Sequence, residues 1–178
     1  MEYSFRNSAR EELTVVTLAD YYFTIKKGQS EENISYASIL SVRIARSSSS
    51  AYRMYIQPDN HKPVVINSIS YDKNGKDTDQ SREYGLLVRV LHHHLKDKSS
   101  AVFSTGGSSE KIWFLAAISV IMSFAICVAA DFLGFTVLNA YADSFILSIT
   151  AIAVVLALNA RNLPKTYEPV EIPLQFLP

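Results

Sequence analysis

The chain has 178 residues, and its 17 lysines and arginines balance its 17 aspartates and glutamates. This balance excludes a nucleic-acid partner that is held by bulk electrostatic attraction. The single cysteine, Cys127, excludes a disulfide framework and a cysteine-based metal cluster.

Short segments with apolar residues at every second position predict β-strands in the first half of the chain. They read YYFTIKK, ISYASILSVRIA, AYRMYIQ and PVVINSISY. Turn-forming residues separate them, including the serine run at 47–50. In the second segment we expect Leu40, Val42 and Ile44 to share the inward face. The twelve N-terminal residues fit either a short helix or a loose segment.

One amphipathic helix follows the strands, with the sequence EYGLLVRVLHHHL. Its apolar side chains fall on one stripe of a helical wheel: Tyr84, Leu87, Val88, Leu91 and Leu95. We expect this stripe to pack on the sheet. Residues 1–98 are therefore predicted to form one α+β domain.

Several antiparallel strands closed by one C-terminal helix resemble a pleckstrin-homology-like (PH-like) domain. The resemblance rests on ISYASILSVRIA, on the hairpin YRMYIQPDNHKPVVINS and on the closing helix, and it covers residues 13–97. It implies an antiparallel sheet or barrel with one C-terminal helix. Bacterial members of this superfamily join such a domain to membrane helices.

Lipid-binding members of that superfamily carry clustered basic residues in the first hairpin loop. Here the loop offers Lys26 and Lys27, which Glu31 and Glu32 follow closely. Since the acids cancel the bases, a specific headgroup pocket is disfavoured at this position.

The triplet His92, His93 and His94 suggests metal binding at first sight. Consecutive side chains on a helix point 100° apart, whereas helical metal sites use histidines four residues apart. We therefore expect structural roles, with His93 facing solvent and His94 flanking the apolar stripe. No metal or other cofactor is predicted.

Residues 99–111 have the composition of a flexible linker, and two apolar runs follow at 112–130 and 144–160. Between 112 and 160 only Asp131 and Asp143 are charged. The first run would be about 28 Å long as a helix, close to the thickness of the hydrocarbon core. These features predict a two-helix transmembrane hairpin at 112–160, which acts as an anchor and not as a channel because it lacks an ionisable residue at mid-depth.

Basic residues flank the apolar runs on one side only. They are Lys96, Lys98 and Lys111 before the first run, and Arg161 and Lys165 after the second. The positive-inside rule then predicts that both termini lie in the cytoplasm. The PH-like resemblance implies that the membrane is a bacterial inner membrane. We expect the same five side chains to contact anionic lipid headgroups.

The C-terminal tail, residues 161–178, contains NLPKTYEPVEIPLQFLP. Its prolines exclude a helix and a central strand, so we expect an extended segment. Its large apolar residues predict docking, either on the chain's own domain or on a partner protein. The expected anchors are Tyr167, Ile172, Leu174 and Phe176.

These patterns favour a non-enzymatic membrane protein. The sequence contains no phosphate-binding glycine loop, nucleophile elbow or paired carboxylates, and it indicates no small-molecule substrate. The leading hypothesis is an accessory or scaffold subunit of a larger membrane complex that docks partner subunits through the PH-like domain and the tail. The alternative is a stand-alone membrane-tethered sensor or lipid-headgroup-binding module.

Overall fold

The computed structural model describes residues 1–47, 51–107, 109–132, 140–159 and 164–177. The chain divides into two compact units. Unit 1 comprises Met1–Gly106 and Lys165–Pro178, and unit 2 comprises Gly107–Pro164. The C-terminal tail therefore belongs to the same unit as the N-terminal domain.

Unit 1 begins with a four-stranded antiparallel sheet in the order β1-β2-β3-β4. The strands are β1 (Glu2–Phe5), β2 (Thr14–Leu18), β3 (Tyr22–Lys27) and β4 (Ser30–Ser35). Alternate residues face the core, among them Phe5, Val16, Phe23 and Ile34. The N-terminal residues, left open between a helix and a loose segment, thus contribute an edge strand.

A second sheet has five strands in the order β11-β10-β5-β6-β7. They are β5 (Ile39–Arg46), β6 (Tyr52–Pro58), β7 (Val64–Asn67), β10 (Val102–Thr105) and β11 (Lys165–Thr166). Two short strands, β8 (Ile69–Tyr71) and β9 (Asp77–Asp79), form a separate ladder. All neighbours pair antiparallel except β10 and β5, which are parallel.

The helix α1 (Ser81–Lys98) closes the core. Its predicted stripe is confirmed, because all five of its residues are buried in one cluster with side chains from both sheets. Glu83 lies in the first turn of the helix, and Lys96 and Lys98 lie in the last, as the helix dipole favours.

A register shift in β5 changes which of its side chains face the core. The pairing of β5 with β6 is irregular between Ile39 and Ser41, and Ile39 is buried while Leu40 is 52% exposed. The expectation that Leu40 faces inward is therefore wrong, since a β-bulge reverses the alternation at that point. The inward positions of Val42 and Ile44 are confirmed.

Unit 2 contains two helices that pack on each other, α2 (Ser109–Phe132) and α3 (Ala140–Asn159). Within α2 the stretch Ile112–Ala129 has a mean hydropathy of 2.5, and most of its side chains are exposed. By length and composition this helix is able to cross a membrane.

The predicted two-helix transmembrane hairpin is wrong. Among the described residues α2 is the one candidate span, whereas the apolar part of α3, Ser144–Leu158, is shorter than a bilayer requires. Most of the loop between the predicted spans, residues 133–139, lies outside the described part of the chain, as do serines 48–50.

The predicted organisation of unit 1 needs three further corrections. The sheet is not purely antiparallel, because α1 carries the chain across the core and β10 then enters beside β5 in the same direction. The segment 99–111, expected as a flexible linker, supplies β10, whose Phe103 is buried in the core. The tail, expected to be extended throughout, forms the edge strand β11 and a 3₁₀ turn at Leu174–Phe176.

A two-residue loop joins β3 to β4, since Lys27 pairs with Ser30 across the hairpin. Its first residue, Gly28, has φ of 58°, in the left-handed region that L-residues avoid. Glycine at this position fits a type II′ turn, whose twist matches that of the flanking strands.

Replacing Gly28 with alanine is expected to lower the free energy of unfolding by about 1 kcal/mol, because the new Cβ strains the left-handed backbone. The Cβ would also displace the carboxylate of Glu12, which lies against its position. Urea unfolding of the detergent-solubilised chain measures the loss. Gln29→Ala in the same loop is the control, and equal unfolding midpoints for the two variants would contradict this account of the turn.

Candidate functional site

The tail joins unit 1 at the edge of the five-stranded sheet. In β11, Lys165 pairs with Thr105 and Thr166 pairs with Ser104 of β10. The Thr105 hydroxyl donates to the carbonyl of Lys165 at 3.3 Å, and the amide of Tyr167 donates to the carbonyl of Phe103 at 3.1 Å. These bonds direct the chain from β11 onto α1.

A buried histidine on α1 receives the tail. His92 is 1% exposed, and its Nε2 lies 2.7 Å from the hydroxyl oxygen of Tyr167. Its Nδ1 lies 2.8 Å from the carbonyl oxygen of Val88, one turn earlier on the helix. The rings of His92, Phe103 and Tyr167 pack together, with centroids 5.2–5.9 Å apart.

These contacts fix where the protons lie. Because the Val88 carbonyl only accepts, Nδ1 of His92 must carry the ring proton, and Nε2 then accepts from the Tyr167 hydroxyl. Burial lowers the pKa of His92 to about 4, although the bond to Val88 acts in the opposite direction. Burial also raises the pKa of Tyr167 well above its usual range. The pair is therefore neutral at physiological pH.

Beyond Tyr167 the tail turns and enters the core. The amide of Glu171 donates to the carbonyl of Glu168, which closes a turn. The 3₁₀ turn at Leu174–Phe176 follows, and it places Phe176 and Leu177 in the main core cluster at 5% and 7% exposure. The last described residues of the chain are thus part of the domain interior.

The four predicted tail anchors differ in how deeply they are buried. Phe176 is buried, and Tyr167 and Ile172 are partly buried against the core. Leu174 is 79% exposed and points away from it. Three of the four are therefore occupied within the chain, and contact of Leu174 with a partner stays a prediction. Leu177, which the sequence pattern missed, belongs to the buried set.

Of the five predicted headgroup residues, three have side chains that the structure describes, and their contact with lipid stays a prediction. Lys96 and Lys165 are exposed. Lys98 donates to the carbonyl of Asp20 and lies over the rings of Tyr21 and Tyr36. The side chains of Lys111 and Arg161 lie outside the described residues.

The three consecutive histidines have three different surroundings. His92 contacts the tail, His93 is exposed, and His94 stacks on Tyr36 with ring centroids 5.4 Å apart. Within the described part of the chain, no group of three or more His, Cys, Asp or Glu side chains has a metal-binding arrangement. The geometry at His92 instead serves to hold the tail.

No protein-family model, no curated protein and no solved structure matches the chain.

Acidification is expected to loosen unit 1 through His92. The unfolded chain binds a proton near pH 6.5 and the folded chain only near pH 4, so stability falls as the pH drops between these values. By pH 4 the loss from this one group should reach about 3 kcal/mol. Urea unfolding at pH 7 and at pH 4 measures it.

His92→Gln removes the titrating ring and should have a shallower pH dependence than the native chain. Thr166→Ala is the control, because this exposed position of the tail leaves His92 and Tyr167 in place and should keep the slope. Parallel pH profiles for the native chain and His92→Gln would show that His92 is not the group responsible.

The burial of Phe176 is expected to make it a major contributor to stability. Phe176→Ala should cost about 3 kcal/mol, because it removes a buried aromatic side chain from the core. Leu174→Ala, two residues away on the exposed side of the same turn, should change the unfolding free energy by less than about 0.5 kcal/mol. Chemical denaturation distinguishes the two, and equal effects would mean that the tail is not docked.

Proposed function

We propose that the chain is a non-enzymatic, membrane-associated accessory or scaffold subunit of a larger membrane protein complex. In this proposal unit 1 is a PH-like platform and unit 2 attaches it to lipid through α2. The supporting observation is that β10 and β11, the strands on either side of unit 2 in the sequence, pair with each other. Both connections to unit 2 therefore leave the platform from one sheet edge.

The proposed location is a bacterial inner membrane, with both termini in the cytoplasm. Both chain ends belong to unit 1, which supports placing them in the same compartment. The basic residues near unit 2 lie in the segments that lead to and from unit 1, and the positive-inside rule favours the cytoplasm for such segments.

A role as a platform fits the way unit 1 uses its polar groups. At the tail site, His92 and Tyr167 hydrogen-bond to each other and pack against Phe103. Such an arrangement holds the tail in place and supports a structural role for these two side chains. Partner contact through the tail would use its outward side, where Leu174 is exposed.

The alternative, a stand-alone sensor or lipid-headgroup module, has weaker support at the first hairpin. Lys27 forms an ion pair with Glu11 at 2.9 Å, and Lys26 lies opposite Glu31 across the strands. The bases that such a module would need in that loop are therefore already offset by acids.

Native mass spectrometry of the gently solubilised full-length chain, purified from its own membranes, tests the proposal. We expect a partner subunit in fixed ratio, and we expect Leu174→Asp to weaken its retention. Leu13→Asp, at another exposed apolar position of unit 1, is the matched control and should retain the partner.

Deleting the tail is not a clean test, because Phe176 and Leu177 belong to the core. If neither the native chain nor Leu174→Asp shows a bound partner in the mass spectrum, the subunit proposal fails and the stand-alone alternative takes its place.

A further inference from the structure

A small groove on unit 1 lies between α1 and the turn of the tail. Its volume is about 220 Å³, and one side is apolar, formed by Pro169, Val170 and Ile172. Val170 is 64% exposed, so this apolar surface is open to solvent. The volume corresponds to roughly seven water molecules, enough for a small polar group and a few attached carbon atoms.

The opposite side of the groove is cationic. Arg89, His93 and Lys96 line it at positions i, i+4 and i+7 of α1, and all three are exposed. This spacing places them on one face of the helix. The fourth residue of this side, His92, is neutral because it is buried and bonded to the tail.

The two charged side chains of this side, Arg89 and Lys96, have no acidic partner in the groove. The ion pairs among the described residues are Lys27 with Glu11 and His61 with Glu32, and neither involves α1. The nearest acids along the chain, Asp97, Glu168 and Glu171, do not line the groove. Arg89 and Lys96 therefore place two positive charges beside an apolar wall, and neither forms an ion pair among the described residues.

We infer that this groove binds a phosphate monoester group carried on a short apolar chain. The guanidinium of Arg89 offers paired donors that match phosphate oxygens, Lys96 supplies a second charge, and His93 adds a further donor. A dianionic, tetrahedral group uses all three better than a carboxylate does. The attached carbon chain lies on the wall of Pro169, Val170 and Ile172.

Two sources carry this chemistry, the headgroup of a lipid with a terminal phosphate and a soluble alkyl phosphate. The site involves α1 and the tail and is separate from the β3–β4 loop. Ligand binding in the groove does not depend on the proposed scaffold role, because a partner subunit and a groove ligand would contact different residues of the tail.

Calorimetric titration of the full-length chain in detergent at pH 7.5 tests the site with butyl phosphate, inorganic phosphate and butanol. We expect saturable binding that is tightest for butyl phosphate. Arg89→Gln should weaken this binding about tenfold or more, because it removes charge-assisted hydrogen bonds. Arg82→Gln, an exposed arginine on the same helix outside the groove, is the control and should bind as the native chain does.

A second variant tests the apolar wall. Val170→Ser should weaken butyl phosphate binding about threefold, because it removes apolar contact area, and should leave inorganic phosphate binding unchanged. Both Arg89 and Val170 are exposed, so these variants should keep the native unfolding midpoint. No saturable binding, equal affinity for butyl phosphate and inorganic phosphate, or equal losses in Arg89→Gln and Arg82→Gln would overturn the inference.

Competition then distinguishes the two sources. The chain is reconstituted in phosphatidylcholine nanodiscs with and without phosphatidic acid, and butyl phosphate is titrated again. If phosphatidic acid reduces the apparent affinity for butyl phosphate, the groove takes a lipid headgroup from its own membrane. If the affinity is unchanged, the ligand is a soluble alkyl phosphate.

Discussion

Thr105 and Lys165 face each other in the short antiparallel ladder of β10 and β11, although 60 residues separate them in the sequence. Two residues of edge strand do not offset the entropy of joining such distant parts of a chain. Burial of Phe176 and Leu177 adds the apolar contribution that the ladder lacks. Unit 1 is consequently completed only by the last part of the chain.

The His92–Tyr167 bond directs the tail between these two attachments. A neutral ring that accepts one hydrogen bond and donates another leaves no buried polar atom of the pair unsatisfied. The same course brings the apolar turn at Pro169–Ile172 beside the cations of α1. One packing arrangement thus creates both the attachment of the tail and the groove.

Periodicity predicted the parts of the fold that local sequence determines. The stripe of α1 and two inward residues of β5, Val42 and Ile44, needed only spacing. The short strands β1 and β10 were missed, because four residues carry little period and the Gly-Gly pair after β10 suggested a linker. The bulge at Ile39 depends on pairing with β6, which spacing along one strand does not reveal.

The sequence predicted that the tail docks but not which surface it docks on. His92 and Phe103, which form that surface, come together only when the sheet and helix have formed. A signal for His92 existed, because it lies four residues after Val88 and next to Leu91 of the buried stripe. The prediction of a second membrane span was wrong because of length. On average α3 is as apolar as α2, but among the described residues its apolar part is too short to span a bilayer.

The central claim is that the tail is a structural part of unit 1, and amide hydrogen exchange of the full-length chain tests it most directly. The amide of Tyr167 donates to the carbonyl of Phe103, and the amide of Gly106 donates to that of Ile44 without involving the tail. The account predicts that both exchange with the same opening free energy. Exchange of Tyr167 at the rate of an unprotected peptide, with Gly106 still protected, would contradict it.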